Sequence, residues 1–189
     1  IRPDEGQILV DGEDVSKMDI DGLKMIRSKI GILFQSAALF DSMSVADNVA
    51  FSLYENAMLH PIQIRKRVLE ILAQVEMLEF EDAMPSDLSG GQKKRIGLAR
   101  AIATHPEVLL YDEPTTGLDP LLSTNIENLI VKMNQQLDVT SICVSHQKST
   151  ILRTANKIYM MHQCKLLEPV KPEEIHLHPQ ISSFVEGGV

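Results

Sequence analysis

No stretch of this 189-residue chain approaches the roughly 20 consecutive apolar residues that a helix needs to cross a bilayer. That excludes a protein built of membrane-spanning helices from these residues. Cysteine is scarce as well. Cys143 and Cys164 are the two, and their spacing matches no metal-ligand pattern. Both stand in apolar, strand-like contexts, so the expectation is buried free thiols in a reducing compartment. Basic residues are in the minority, 18 against 26 acids, for a formal net charge of −8. A surface of that sign excludes non-specific nucleic-acid binding as the main activity. What is abundant is apolar: 44% hydrophobic residues suffice for a packed core, so one compact domain with an inserted lobe is expected over 1–189.

The pattern of that apolar content changes along the chain. Gln7 to Gly12 reads as a short strand closed by an Asp-Gly turn, and Lys29 to Phe34 as a second strand that delivers Gln35. Ser44-Val45-Ala46-Asp47 opens a helix with a capping-box-like start. Ile64, Val68, Ile71, Leu72, Val75 and Leu78 then fall on one helical face. After Ser89 the order becomes helix, strand (Val108 to Asp112), helix (Leu122 to Leu137), strand (Val139 to Ser145). Such alternation implies an α/β fold, a mostly parallel sheet covered by helices, with sites at the carboxyl ends of its strands. Gln35, Asp112, Glu113 and His146 all fall at such ends. Lys157 to Met161 and Lys165 to Leu167 read as a small terminal hairpin, an antiparallel β edge to the fold, followed by a helix near Pro172.

Two runs carry the chemistry. Val108-Leu109-Leu110-Tyr111 is an apolar strand that ends in Asp112-Glu113. A carboxylate at the end of such a strand can reach a hydrated Mg²⁺, and its neighbour can act as general base toward an attacking water. The bland alternative is a surface acid pair opening a turn before Pro114. Upstream, Leu88-Ser89-Gly90-Gly91-Gln92 precedes a helix. Backbone N–H groups at that helix start, unobstructed at the glycines, make an anion site for a γ-phosphate. The bland alternative there is an N-cap serine and a turn.

In this order and spacing, the two runs resemble the signature and Walker B segments of ATP-binding cassette (ABC) proteins, and the resemblance covers nearly the whole chain. It implies the P-loop NTPase-like ABC ATPase fold, with residues 1–35 and 100–189 as core lobe and 36–99 as helical signature lobe. It implies ATP and Mg²⁺ as cofactors. Glu113 and His146 become the catalytic pair, and Gln35, Ser89, Gly90, Gly91, Gln92, Asp112 and Asp119 bind nucleotide, with Gln35 and Asp112 serving Mg²⁺, the latter through water. Gly117-Leu118-Asp119 corresponds to the D-loop. The implied partners are a second copy packed head to tail and an integral membrane permease, which would hold the protein on the cytoplasmic face of the inner membrane. Phe40 and Met43, in the apolar set Ala38 to Val45, are the candidate permease contacts.

A narrower resemblance runs from Ile32 to Phe51, through Tyr111 to Pro120 and into the tail His178 to Gly187. It is to the Mla-type phospholipid-transport ATPases, which work with an MCE-domain lipid-binding protein. Three departures loosen it: Gln92 where Met is frequent, Gln147 where Asp usually follows the switch His, and His162-Gln163-Cys164 at a hairpin turn.

The phosphate-cradling run G-x-x-x-x-G-K-[ST] occurs nowhere in these residues. The expectation is that about 40 residues carrying it precede Ile1, the usual strand–loop–helix length. Two other readings stay open. One is a soluble ABC ATPase of the translation or repair type, although the 53 residues between Gln35 and Ser89 leave no room for a long coiled coil. The other is an interaction module that does not hydrolyse ATP. Because that loop and its Lys supply most phosphate contacts, the 189 residues alone should not bind ATP tightly. Isothermal calorimetry is the check, and micromolar binding would overturn the expectation.

Overall fold

The computed structural model describes residues 3–56 and 59–186, so Gly187 of the tail motif lies outside the described residues. The chain opens on a hairpin, β1 (Leu9–Val10) and β2 (Glu13–Asp14). Its turn needs positive φ twice, and Asp11 (51°) and Gly12 (81°) supply it. Helix α1 (Ile20–Ser28) follows, its first turn held by the Asp19 carboxylate accepting from Gly22 N at 2.9 Å.

Three parallel strands form the central sheet, in the order β3 (Ile30–Leu33), β4 (Val108–Asp112), β5 (Thr140–Val144). Leu33 pairs with Tyr111 and Tyr111 with Cys143, so the three carboxyl ends lie level. Between β3 and β4 come α2 (Val45–Asn56), α3 (Pro61–Gln74) and α4 (Gly90–Ile102). Helix α5 (Pro120–Leu137) crosses from β4 to β5, and α6 (Lys148–Thr154) follows β5. The α/β expectation holds, and the terminal hairpin is present: β6 (Met161–His162) and β7 (Lys165–Leu166) make a two-stranded antiparallel pair of their own, as β1 and β2 do. The helix expected at Pro172 is a 3₁₀ run over Pro172–Leu177, and α7 (Pro179–Glu186) is the last described element.

Ser44 opens α2 as expected: its hydroxyl accepts from Asp47 N at 3.1 Å and donates to the Asp47 carboxylate at 2.7 Å. The face read as running from Ile64 to Leu78 is cut short. Helix α3 ends at Gln74, Glu76 turns left-handed (φ 60°), and Leu78 emerges 47% exposed. Cys143 is half-buried on β5, but Cys164 is exposed, because the β6–β7 turn places Gln163 and Cys164 at its tip with positive φ. The expected burial of Cys164 is corrected by that turn.

One continuous core joins sheet and helices: Leu33, Leu109 and Tyr111 pack with Val49, Ile71, Leu72, Ile96 and Ile130. A second, smaller cluster of Ile158, Ile175, Ile181 and Val185 sits under the C-terminal segment. Among the described residues, no helix is long and apolar enough to cross a membrane.

Two glycines set the distance between α4 and the sheet. A Cβ on Gly31 would meet the Ala101 carbonyl oxygen at 2.2 Å and Leu109 Cδ2 at 2.7 Å. A Cβ on Gly97 would meet Leu33 Cδ1 at 2.8 Å. Helix and strand are therefore nearly in backbone contact, and Gly31→Ala forces them apart. We expect a loss of about 3 kcal/mol, the upper range for overpacking, read as a fall of roughly 10 °C in melting temperature. An unchanged melting temperature would show that α4 has room to move off β3 at no cost.

Candidate functional site

The level strand ends bring four of the expected residues to one edge. Gln35 follows β3, Asp112 ends β4 with Glu113 next, and His146 follows β5 after Ser145. Gln35 and Asp112 are exposed. Glu113 is turned inward by a left-handed backbone (φ 46°), a conformation that costs a non-glycine residue about 1 kcal/mol or more. Its N–H donates to Val144 O at 2.9 Å, tying it to β5.

The Glu113 carboxylate is held on both oxygens. Oε1 accepts from His146 N at 3.1 Å and faces His146 Nδ1 at 2.8 Å. Oε2 accepts from Thr116 Oγ1 at 2.9 Å and, more distantly, from Ser145 Oγ at 3.4 Å. Burial pushes the acid's pKa up, but the hydrogen bonds from His146 and Thr116 outweigh it and hold the carboxyl below its ordinary value. The side chain is 17% exposed and His146 65%, so solvent reaches the pair from the imidazole side.

Sequence reasoning passed over Lys94, which organises this edge. Its side chain is 5% exposed, yet its ammonium donates to Gln35 O at 2.5 Å and to Glu113 O at 3.1 Å. Burial draws its pKa down, against the Asp112 and Glu113 charges that favour the ammonium. The signal was present: Lys94 lies three residues after Gly91 and four before Leu98, on the buried face of α4. A lysine at a core position calls for a buried partner.

The remaining residues form a second group at two helix starts. Ser89 caps α4, its hydroxyl accepting from Gln92 N at 3.3 Å, while the Gln92 amide oxygen accepts from Ser89 N at 2.8 Å. Ser89 and Gly90 are exposed; Gly91 is buried under Leu122. Asp119 caps α5 by accepting from Leu121 N and Leu122 N, both at 2.9 Å. A Cβ on Gly90 would lie 3.4 Å from Leu118, so these two helix starts adjoin. Lys94, one turn into α4, links this group to the strand ends.

Phe40 is 40% exposed, its ring 4.7 Å from that of Phe51 and 5.6 Å from the Arg100 guanidinium. The buried Asn48 pins this loop, accepting from Phe40 N and donating to the Phe40, Met43 and Ser44 carbonyls.

Comparison with known proteins bears on the family and the fold. The ABC transporter family model matches residues 1–116. The methionine import ATP-binding protein MetN 2 of Pseudomonas syringae pv. tomato is 39% identical over 181 residues, 96% of this chain and 54% of that protein. Its counterpart MetN in Xanthomonas euvesicatoria pv. vesicatoria is 39% identical over 179 residues, covering 95% and 53%. The chain thus spans about half the length of the curated relatives it matches. Among solved structures, cbiO1 from Clostridium perfringens, part of the ABC transporter complex cbiONQ, superposes with a TM-score of 0.84 at 31% identity, covering 96% of this chain and 72% of that one. The ATP-binding cassette MJ0796, a dimer bound to ADP and Pi, gives 0.81 at 30%, covering 91% and 75%. The relatives described here are methionine import proteins, and they lend no support to the narrower phospholipid-transport resemblance. On the matched family model and these structural relatives, the chain belongs to the ABC transporter family.

Proposed function

We propose that the protein carrying this chain is the ATP-binding and ATP-hydrolysing subunit of an ABC importer, two copies of which close around ATP to drive an integral membrane permease. The observation that carries the reading is the Glu113–His146 contact at the end of β4, where a held carboxylate and an exposed imidazole share one face.

Hydrolysis of a phosphoanhydride asks a protein to position a water and to balance charge. Glu113 is the base in this proposal. Four donors or polar atoms now face its two oxygens, and the Ser145 contact at 3.4 Å is the weakest, so Oε2 is the oxygen that yields to water. His146 keeps Oε1 occupied and so holds the other oxygen in orientation. Asp112 and Gln35 offer oxygens from neighbouring strand ends, which suits Mg²⁺, an ion usually held by one or two protein oxygens plus phosphate and water. Bound there with ATP, the ion would neutralise phosphate charge. Ser89, Gly90, Gly91 and Gln92, with the α4 N–H groups behind them, would serve the γ-phosphate held by the other copy, next to Asp119. The half-exposed Phe40 is the proposed permease contact. The division into a core lobe and a signature lobe at 36–99 remains part of this reading, as does a place on the cytoplasmic face of the membrane.

Two cargo readings each rest on one observation. The names of the relatives favour an amino acid of the methionine type. The run from Ile32 to Phe51 favours a phospholipid with an MCE-domain partner. We take the first. Uptake of labelled methionine should fall about 100-fold or more, the general-base scale on which the driving ATPase fails, when the gene carrying Glu113→Gln replaces the natural one. Unchanged methionine uptake with altered membrane lipid distribution would transfer the cargo to the second reading.

In the purified full-length protein, Glu113→Gln keeps shape and hydrogen bonding but removes the base. Turnover should fall about 100-fold or more, while an ATP-bound dimer accumulates in gel filtration. Wild-type turnover would assign Glu113 to structure and place the base elsewhere.

A further inference from the structure

Behind the site lies a buried acid that the proposed chemistry does not use. Glu127 of α5 is 0% exposed, and its carboxylate accepts from three side chains of α6. Ser149 Oγ (3.0 Å) and Thr150 Oγ1 (2.8 Å) reach Oε1, and Arg153 Nε (2.8 Å) reaches Oε2. Paired with the Arg153 guanidinium, Glu127 is a carboxylate, which accepts hydrogen bonds and donates none. Thr150 Oγ1 also lies 2.8 Å from Thr115 Oγ1, and Thr115 Oγ1 lies 2.9 Å from the side-chain amide of Gln147, at Oε1.

Contacts this short each need one proton between the two heavy atoms. Thr150 has one, and Glu127 takes it. The proton between the threonines is then that of Thr115. None remains for Gln147, so a carbonyl oxygen there would meet a hydroxyl oxygen with no proton between them. The two ends of a glutamine amide are nearly the same shape, and the proton count decides which end faces a neighbour.

We infer that Glu127 imposes a one-way hydrogen-bond relay, from Gln147 Nε2–H to Thr115, from Thr115 to Thr150 and from Thr150 to Glu127, and that this relay positions His146. Thr115, Thr150 and Glu127 are all 0% exposed, so water does not compete for the Thr115–Thr150 and Thr150–Glu127 bonds, while Gln147 is half-buried. Gln147 is the residue after His146, and its own N–H donates to Ser145 Oγ at 3.1 Å, a hydroxyl that also points to Glu113. Anchoring the Gln147 side chain therefore fixes the backbone on which the imidazole stands. Glu127 and Gln147 act as positioning residues. That half of the inference rests on the proposed roles of Glu113 and His146; the direction of the relay does not.

The test is a double-mutant cycle in the full-length protein. Gln147→Glu keeps shape but loses the N–H, setting an acceptor against Thr115, and should lower the melting temperature by about 5 °C, the scale of a lost buried hydrogen bond in a chain of this size. Glu127→Gln alone should also destabilise, because it removes the charge paired with Arg153; the relay itself reverses, and the Gln147 amide turns its oxygen to Thr115. The amide introduced at position 127 donates to Ser149 and Thr150 while accepting from Arg153, Thr150 donates to Thr115, and Thr115 donates to position 147, where a carboxylate accepts equally well. Gln147→Glu should therefore cost no more than about half as much in the Glu127→Gln background as it does alone, a margin set by the size of such couplings. Relief of repulsion between two carboxylates would imitate this recovery, so the cycle is repeated in Thr115→Val, which cuts the relay and should abolish the coupling. Coupling that persists there overturns the relay, as does a Gln147→Glu protein as stable as its parent. Should Glu127→Gln fail to fold, Gln147→Met replaces it: the relay requires Gln147→Glu to be less stable than Gln147→Met, and the reverse order overturns it. The NMR signals of the His146 imidazole should move in Gln147→Glu and return in the double variant, while Glu127→Gln alone, in which Gln147 keeps its bond to Thr115 through the amide oxygen, leaves them in place; signals unmoved in Gln147→Glu overturn the positioning role. None of these readouts uses ATP, so a failure of the proposed hydrolysis, seen in the Glu113→Gln kinetics, stays separate.

Discussion

A buried ammonium holds the working edge of this protein together. An ion the size of a lysine head group loses several kcal/mol on leaving water unless hydrogen bonds and counter-charges replace the solvent. Lys94 meets that requirement with the Gln35 and Glu113 carbonyls and the nearby carboxylates of Asp112 and Glu113. The consequence is geometric. The end of β3, the end of β4 and the first turns of α4 cannot shift independently, because each shift strips a partner from a charge that has no water to replace it. The left-handed turn at Glu113 persists under the same constraint, its carbonyl drawn to Lys94 and its N–H to Val144. Close packing at Gly31 and Gly97 brings α4 near enough for the lysine to reach.

The elements legible in the sequence were those whose local signal and tertiary environment agree. Val108 to Tyr111 is an unbroken apolar run in the central strand, buried at Leu109 and Tyr111 on one face and half-buried at Val108 and Leu110 on the other, and the strand's bounds follow the residues. Ser44 and Asp47 carry a cap whose bonds are local, so the start of α2 could be read without knowing its neighbours. The failures have the opposite character. Leu78 continues the period of α3, but Glu76 turns left-handed and breaks the helix, and nothing in the period announces that. Cys164 has strand-like neighbours, yet a two-residue turn puts it at the tip of a hairpin.

The site divides along the same line. Glu113 and His146 were readable because strand ends in a parallel sheet converge, and β-register puts them in reach. Lys94 and Glu127 were not assigned from sequence, although both break an apolar period at a buried helix position. A periodicity count treats such residues as noise on a helical face. Their burial carries the opposite meaning, since a charge in a core position is tolerated only where a specific set of partners awaits it.

Glu113 and Glu127 show how much those partners decide. Glu113 follows β4 and Glu127 lies in α5; both are held by hydroxyls and a cation-capable side chain, and their surroundings give them different work. Glu113 keeps a 17% exposed face and one long contact, so a water has an oxygen to approach. Glu127 has no exposed surface, and its Arg153 partner and two hydroxyl donors leave it nothing to exchange. What it can do is fix direction, because an acceptor with no proton compels every hydroxyl in contact to turn toward it. That compulsion reaches Gln147 through two threonines. An Asp carboxylate at position 147 would have no proton to give to Thr115. A glutamine in that place and a buried acid at 127 are therefore two ends of one arrangement.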